Sequence, residues 1–153
     1  MGVNECQVQY KIADASHVGQ MHEIEESVFP IPWSYESFAQ DVCEHEIAVY
    51  VVGICKGEVV SYAGLWHIRE ESHVTNIAVK EEFRRMGIGG NMMEILFDEA
   101  RKLNVKSMTL EVRESNKAAI AMYEKSGFAV TGRRKRYYTN NNEDALIMNR
   151  ALC

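Results

Sequence analysis

No run of apolar residues in this chain approaches the ~20 that a membrane-spanning helix needs. The N-terminal Met-Gly-Val-Asn-Glu-Cys has no basic segment followed by an apolar one, so no secretory signal is expected. Cys6 stands where N-myristoylation would want Ser or Thr after Gly2. The four cysteines, Cys6, Cys43, Cys55 and Cys153, form no Cys-x-x-Cys pair, which points away from structural zinc and from a redox dithiol; reduced thiols are expected. The five histidines are scattered, and His22-Glu23 lacks the second histidine of a metalloprotease helix. Each reads as a surface or packing residue, and no metal is expected. Lys and Arg number 17 against 22 Asp and Glu, a net charge of −5 that excludes a general nucleic-acid binder. What is present is ordinary globular material, 46% hydrophobic and 25% charged, in 153 residues. That length buries a substantial core and suits one domain over 1–153. The expectation is a cytoplasmic protein without direct nucleic-acid or membrane partners, a monomer or weak homodimer.

The stretch Asn76-Ile-Ala-Val-Lys-Glu-Glu-Phe-Arg-Arg-Met-Gly-Ile-Gly-Gly-Asn-Met-Met93 organises the rest. Thr75–Val79 is apolar and β-branched and reads as a strand, Lys80–Met86 as a charged loop. Gly87, Gly89 and Gly90 then fall at the entry to a helix with Ile88, Met92, Ile95, Leu96, Ala100 and Leu103 down one face. Glycines let a ligand approach the backbone, and the first N–H groups of a helix lack internal partners and sit at the positive end of its dipole. A diphosphate fits such a place, with Arg84 and Arg85 adding charge. The competing reading is a loop whose glycines only relieve crowding. A P-loop is excluded, because Gly-x-x-x-x-Gly-Lys-Ser/Thr is absent. The dinucleotide fingerprint fails at its third glycine, where Met92 stands. Arg84-x-x-Gly87-x-Gly89 remains, and it resembles the motif with which GNAT acetyltransferases hold the diphosphate of acetyl-CoA.

In chain order, Gln7–Ile12 reads as a strand, and Asp14 or Ser16 caps a helix running to about Val28. The prolines of Phe29-Pro-Ile-Pro-Trp-Ser34 break it. That link is either a hydrophobic staple, the favoured reading, or one wall of a substrate groove. Ser34 starts a short helix through Phe38 and Val42. Ala48–Ile54 and Val59–Ile68 are strands joined at Lys56-Gly57, and His73–Val79 is a strand after the turn Arg69-Glu-Glu-Ser72. The glycine-entry helix ends near Leu103-Asn104. Ser107–Val112 is a strand, Asn116–Lys125 a capped helix stopped by Gly127, and Ala129–Tyr138 and Ala145–Leu152 the last strands. Antiparallel strands followed by a strand–helix–strand unit make a mixed α/β protein, conventionally α+β.

Glu111 lies between the apolar Leu110 and Val112, so its side chain points to the opposite face. It is either a base in a cleft or a solvent-facing strand residue. Tyr123 is either a core aromatic or a proton donor. Read together, Leu110-Glu-Val-Arg-x-Ser-Asn116-x-x-Ala-x-x-x-Tyr123-x-x-x-Gly-Phe128 is similar to the second half of the GNAT fold in ribosomal-protein alanine N-acetyltransferases of the RimI type. So are Pro32-Trp33-Ser34, Tyr62-Ala-Gly-Leu-Trp66, His73–Val79, Arg134-x-x-Tyr137-Tyr138 and Glu143–Met148. The matches run from about residue 29 to residue 149, in order.

That resemblance implies a central mixed, largely antiparallel twisted sheet of about seven strands, flanked by about four helices and splayed between the fourth and fifth strands. It implies acetyl-CoA as cosubstrate and acetylation of the N-terminal alanine of a small-subunit ribosomal protein, or else of other N-termini or a small amine. Ile77, Ala78 and Val79 would meet the pantetheine arm. Arg84, Arg85, Met86, Gly87, Ile88, Gly89 and Gly90 would hold the diphosphate, and Asn116 would bind the cofactor near its pantetheine end. Glu111 would be the general base and Tyr123 the general acid. Trp33, Tyr137 and Tyr138 would line a peptide groove.

Overall fold

A computed structural model describes residues 7–152. The expectations about residues 1–6 and about Cys153 fall outside them. The elements are β1 (Gln9–Ile12), α1 (Val18–Val28), α2 (Tyr35–Cys43), β2 (Ala48–Cys55), β3 (Glu58–Ile68), β4 (Glu71–Val79), α3 (Ile88–Lys102), β5 (Ser107–Arg113), α4 (Lys117–Lys125), β6 (Ala129–Tyr138) and β7 (Glu143–Ala151). The strands form one sheet in the order β1-β2-β3-β4-β5-β7-β6. Every neighbouring pair is antiparallel except β4 and β5. That parallel pair is short: Glu71, Ser72 and His73 face Ser107, Met108 and Thr109. Beyond it the two strands have no register with each other, so the sheet opens between its fourth and fifth strands as expected.

Local chemistry explains the element ends. Asp14 is the cap ahead of α1. Its carboxylate accepts the Ser16 N–H at 2.9 Å, and His17 Nδ1 accepts the Asp14 N–H at 2.9 Å. One short turn intervenes before the helix proper starts at Val18. Ser34 caps α2 by accepting the Ser37 N–H. Trp33, just before that cap, packs on Phe38 at 5.7 Å between ring centroids, which is the staple geometry. At the β2–β3 hairpin both Lys56 and Gly57 have positive φ, 50° and 81°, as a type I′ turn requires. Strand β4 starts two residues earlier than expected, because Glu71 already pairs with Ile68 across a turn that holds Arg69 at a φ of 56°. Strand β7 likewise starts at Glu143, paired with Tyr138. Helix α4 ends in a Schellman motif: the Phe128 N–H reaches the Tyr123 carbonyl and the Gly127 N–H that of Glu124, both at 3.0 Å, with Phe128 packed on the Tyr123 ring.

Helices cover the two faces unequally. Met92, Met93, Leu96 and Phe97 of α3 are fully buried on one face, against Leu65, Met108, Leu110 and Met148 of the sheet. Two glycines in the first turn of α3 cost it about 1 kcal/mol each relative to alanine. Four buried side chains at roughly 1.5–3 kcal/mol each outweigh that, so packing rather than propensity holds the helix. On the other face α1 and α2 pack on β2, β3 and β4 through Met21, Ile24, Phe38, Val52 and Tyr62. Strand β6 is exposed along most of its length. Cys43 is a free, exposed thiol, whereas Cys55 is disulfide-bonded, which departs from the expectation of reduced thiols throughout.

Candidate active site

Glu111 sits two residues past the last β4–β5 pair, at the point where the sheet opens. Leu110 and Val112 belong to the core on the α3 side, so strand alternation turns Glu111 to the face that carries α1 and α2. Its carboxylate is 11% exposed. One oxygen bonds to His73 Nε2 from β4, and the other lies 3.3 Å from Arg134 Nε of β6. The hydrogen bond from His73 chiefly, with help from Arg134, holds the carboxyl below its ordinary range against the opposing effect of burial. Glu111 is therefore ionised at neutral pH.

The floor continues from His73 across the sheet. His73 pairs with Trp66 on β3. Trp66 lies 6.0 Å from Trp33, ring to ring, and donates its Nε1–H to Asp41 at 2.8 Å. Asp41 is buried and also accepts from the Tyr50 hydroxyl. A second buried carboxylate, Glu25 of α1, accepts the Trp33 N–H at 2.9 Å, the Tyr62 hydroxyl, and the Asn76 side-chain amide at 3.2 Å. The Phe29–Ser34 link is thus a staple for α2 and also an aromatic wall facing Trp66, pinned from below by Glu25. Sequence reasoning passed over His73, Glu25 and Asp41. Glu25 and Asp41 did leave a signal: each is charged at a helical position that otherwise continues an apolar stripe, four residues after Met21 and three after Phe38.

Tyr123 is 5% exposed and packs edge-on against Phe128 at 5.8 Å. Burial pushes its phenol above the ordinary range, and nearby Tyr138 adds to the effect. Tyr138 is half-buried, with the Arg113 guanidinium 4.0 Å above its ring, and burial raises its phenol to about 12. Tyr137 is exposed and meets Tyr138 edge-on at 5.1 Å.

At the glycine loop, Arg84 folds back to donate Nε–H to the Val79 carbonyl at 3.1 Å. Arg85 and Gly87 both take positive φ, 64° and 77°, and so turn the chain into α3. The glycines differ in kind. A Cβ at Gly90 would meet open space, whereas one at Gly89 would come 2.5 Å from Met122 Sδ of α4. Gly89 therefore relieves crowding between two helices, and Gly90 leaves the helix entry open. Ile88 is buried and Met86 partly so. Ile77, Ala78 and Val79 pair with β3 along one edge and face the opening of the sheet along the other. Asn116 caps α4 by accepting the Ala119 N–H at 3.2 Å. Among the described residues no group of three or more His, Cys, Asp or Glu is placed to hold a metal ion. No described helix is long and apolar enough to cross a membrane.

Residues 18–128 match the family described as "Acetyltransferase (GNAT) family". The chain belongs to the GNAT acetyltransferases. Its acetyl donor is accordingly acetyl-CoA. It is 37% identical to a Bacillus subtilis (strain 168) protein provisionally named a ribosomal protein bS18-alanine N-acetyltransferase, over 90% of this chain and 89% of that one. It is 32% identical to an N-alpha-acetyltransferase of Sulfurisphaera tokodaii over 92% of each. The crystal structure of the ribosomal-protein-S18-alanine N-acetyltransferase from Escherichia coli superposes with a TM-score of 0.87 at 32% identity, covering 95% of this chain and 94% of that one. Sheet order, splay and helix placement thus agree with the architecture expected of a GNAT enzyme.

Proposed function

We propose that this GNAT enzyme acetylates the α-amine of a protein N-terminus, with the N-terminal alanine of ribosomal protein bS18 as its substrate in the cytoplasm, through a single domain spanning the chain. The observation that carries the reading is Glu111: an ionised carboxylate where the sheet opens, on the face without α3, beside the aromatic wall of Trp33 and Trp66. The names of the Bacillus and Escherichia relatives support the substrate. The Sulfurisphaera relative's name favours one alternative, a broader range of N-termini.

The helix entry is open at Gly90, and its first N–H groups have no helical partner, so it fits a diphosphate. Met86–Gly90 would hold that group, with Arg85 adding charge and Arg84 fixing the loop to the end of β4. Ile77–Val79 would pair with the pantetheine arm across the opening. Asn116 uses its oxygen as a helix cap and keeps its NH2 for the ligand. The amine would enter over Trp33, Tyr137 and Tyr138. An α-amine titrates near ~8 and must lose a proton before it attacks the thioester carbon. The proton leaves at Glu111, directly or through water. The amine nitrogen bonds to the acetyl carbon, an N–H near Val79 steadies the oxyanion, and the C–S bond breaks. As the intermediate collapses the nitrogen sheds its second proton to solvent, and Tyr123 would donate its proton to the departing thiolate and recover one from solvent.

Two measurements test this reading. Release of CoA thiol with peptides differing in their first residues should favour an alanine start, and absence of turnover on every free α-amine would defeat the reading. Gly90→Glu puts a carboxylate where the phosphates approach without any clash, so acetyl-CoA affinity in calorimetry should fall at least ~10²-fold while the circular dichroism spectrum stays unchanged. Unaltered affinity would move the diphosphate elsewhere.

A further inference from the structure

The hairpin that joins β6 to β7 carries Tyr137 and Tyr138, and its register is irregular. Arg134 pairs with Ala145, and Tyr138 pairs with Glu143. Lys135, Arg136 and Tyr137 therefore stand opposite the single residue Asp144, three against one. Arg136 takes a positive φ of 54° in this bulge, and its N–H donates to Asp144 Oδ1 at 2.9 Å. Bulges beside active sites re-aim side chains. Here the re-aimed pair is Tyr137 and Tyr138. Arg113 holds this tip from outside the hairpin. It lies two residues past Glu111 on β5, on the same face of the sheet. Its guanidinium stands 4.0 Å over the Tyr138 ring. Nη2 donates to Asn140 at 2.8 Å, and Nη1 donates to Asn141 at 3.2 Å and to Glu143 at 3.3 Å. Glu143 also accepts the Ser115 N–H at 2.7 Å, beside the Asn116 cap of α4. The side chains of Arg113 and Glu143 are 22% and 15% exposed, so solvent weakens this pair less than a surface salt bridge. A planar guanidinium can cover a ring and fork to several acceptors at once, which a lysine cannot.

We propose that Arg113 is a positioning residue for the peptide substrate: it fixes the tip of the β6–β7 hairpin to the β5–α4 corner and so sets where Tyr137 and Tyr138 meet the incoming N-terminus. In this role Arg113 acts through Tyr138 and touches no reacting atom. Without the guanidinium, Tyr138 keeps its pairing with Glu143 but loses the group that lies over its ring. Glu143 still holds Ser115 and Asn116 still caps α4, so the cosubstrate side is left in place. The cost therefore falls on peptide recognition. The inference rests on the preceding reading that Tyr137 and Tyr138 line the path of the peptide, and it adds what holds them there.

The test is steady-state kinetics on an alanine-starting peptide for Arg113→Met, which keeps an unbranched side chain over the Tyr138 ring but donates nothing. The peptide KM should rise roughly tenfold or more, with kcat within about threefold of the wild type and acetyl-CoA affinity unchanged in calorimetry. A residue that only supports the fold would lower the active fraction, and so kcat, with KM unmoved; that outcome overturns the proposal. Arg113→Lys keeps the charge but not the fork. It should raise the peptide KM in the same direction, and it serves as the test if the methionine variant does not fold. A lysine variant with the wild-type KM would overturn the clamp. Action through the ring is read from Tyr138→Ala, alone and combined with Arg113→Met. Tyr138→Ala should itself raise the peptide KM, and adding Arg113→Met should then cost less than about threefold more. Effects that multiply would overturn the proposal and leave the peptide reading intact. A peptide KM unmoved by Tyr138→Ala would take the hairpin out of the peptide's path, and the proposal would fall with that part of the reading. A wild type inert on every peptide would overturn both.

Discussion

Glu111→Gln should lower turnover on an alanine-starting peptide by ~10²–10⁴-fold and leave acetyl-CoA binding intact. The size follows from what the carboxylate does in the structure. It is ionised at neutral pH because His73 and Arg134 both favour its charged form. Glutamine keeps the shape but removes both that charge and the proton acceptor. The side chain lies on the face away from α3, so the glycine loop should not register the change. Steady-state kinetics beside calorimetry separates the two effects. A fall of less than about threefold would assign deprotonation to bulk water or to another group.

Tyr123→Phe should cost roughly 10²-fold or more in kcat with little change in acetyl-CoA affinity. The ring packs on Phe128, and phenylalanine preserves that contact, so a residue serving only the core would lose little. Burial holds the phenol above its ordinary range, which keeps it protonated throughout the working pH. A thiol ordinarily titrates near ~8.5, so outright transfer from this phenol to a thiolate runs uphill. The hydroxyl is then expected to act first as a hydrogen-bond donor to the sulfur as negative charge builds on it. Tyr138 is the neighbouring phenol and the natural control. If Tyr138→Phe loses kcat while Tyr123→Phe does not, the role belongs to Tyr138. Near-normal kcat in both would leave the thiolate to solvent.

Much of the fold was legible because its signals are local. The glycine entry to α3, the Ser34 and Asn116 caps, the Lys56-Gly57 turn and the Gly127 stop each depend on residues within a turn of one another. The strand starts at Glu71 and Glu143 were misjudged because polar residues there pair across tight turns, and tertiary pairing overrides a polar composition. The family motif told where to look for Glu111 and Tyr123, and strand alternation gave the face of Glu111. His73 was not legible. Its partner is 38 residues away, and only the three-pair parallel register brings the two together. Glu25 was hidden in the same way, since Tyr62 and Asn76 reach it from 37 and 51 residues off. Gly89 shows the opposite limit. Its spacing suggested a phosphate contact, yet a Cβ there would run into Met122 of α4, which no pattern within the motif reveals.

The short parallel contact between β4 and β5 also bears on how the protein tolerates an empty site. Past His73 and Thr109 the facing rims of the two strands do not pair with each other, and no other described strand lies between them. Exposed rims of that kind recruit other chains into intermolecular pairing. A ligand lying between them would shield both, and it would raise the melting temperature by mass action. The cosubstrate would then protect the enzyme in storage as well as feed the reaction, and preparations stripped of it would be the ones that cloud.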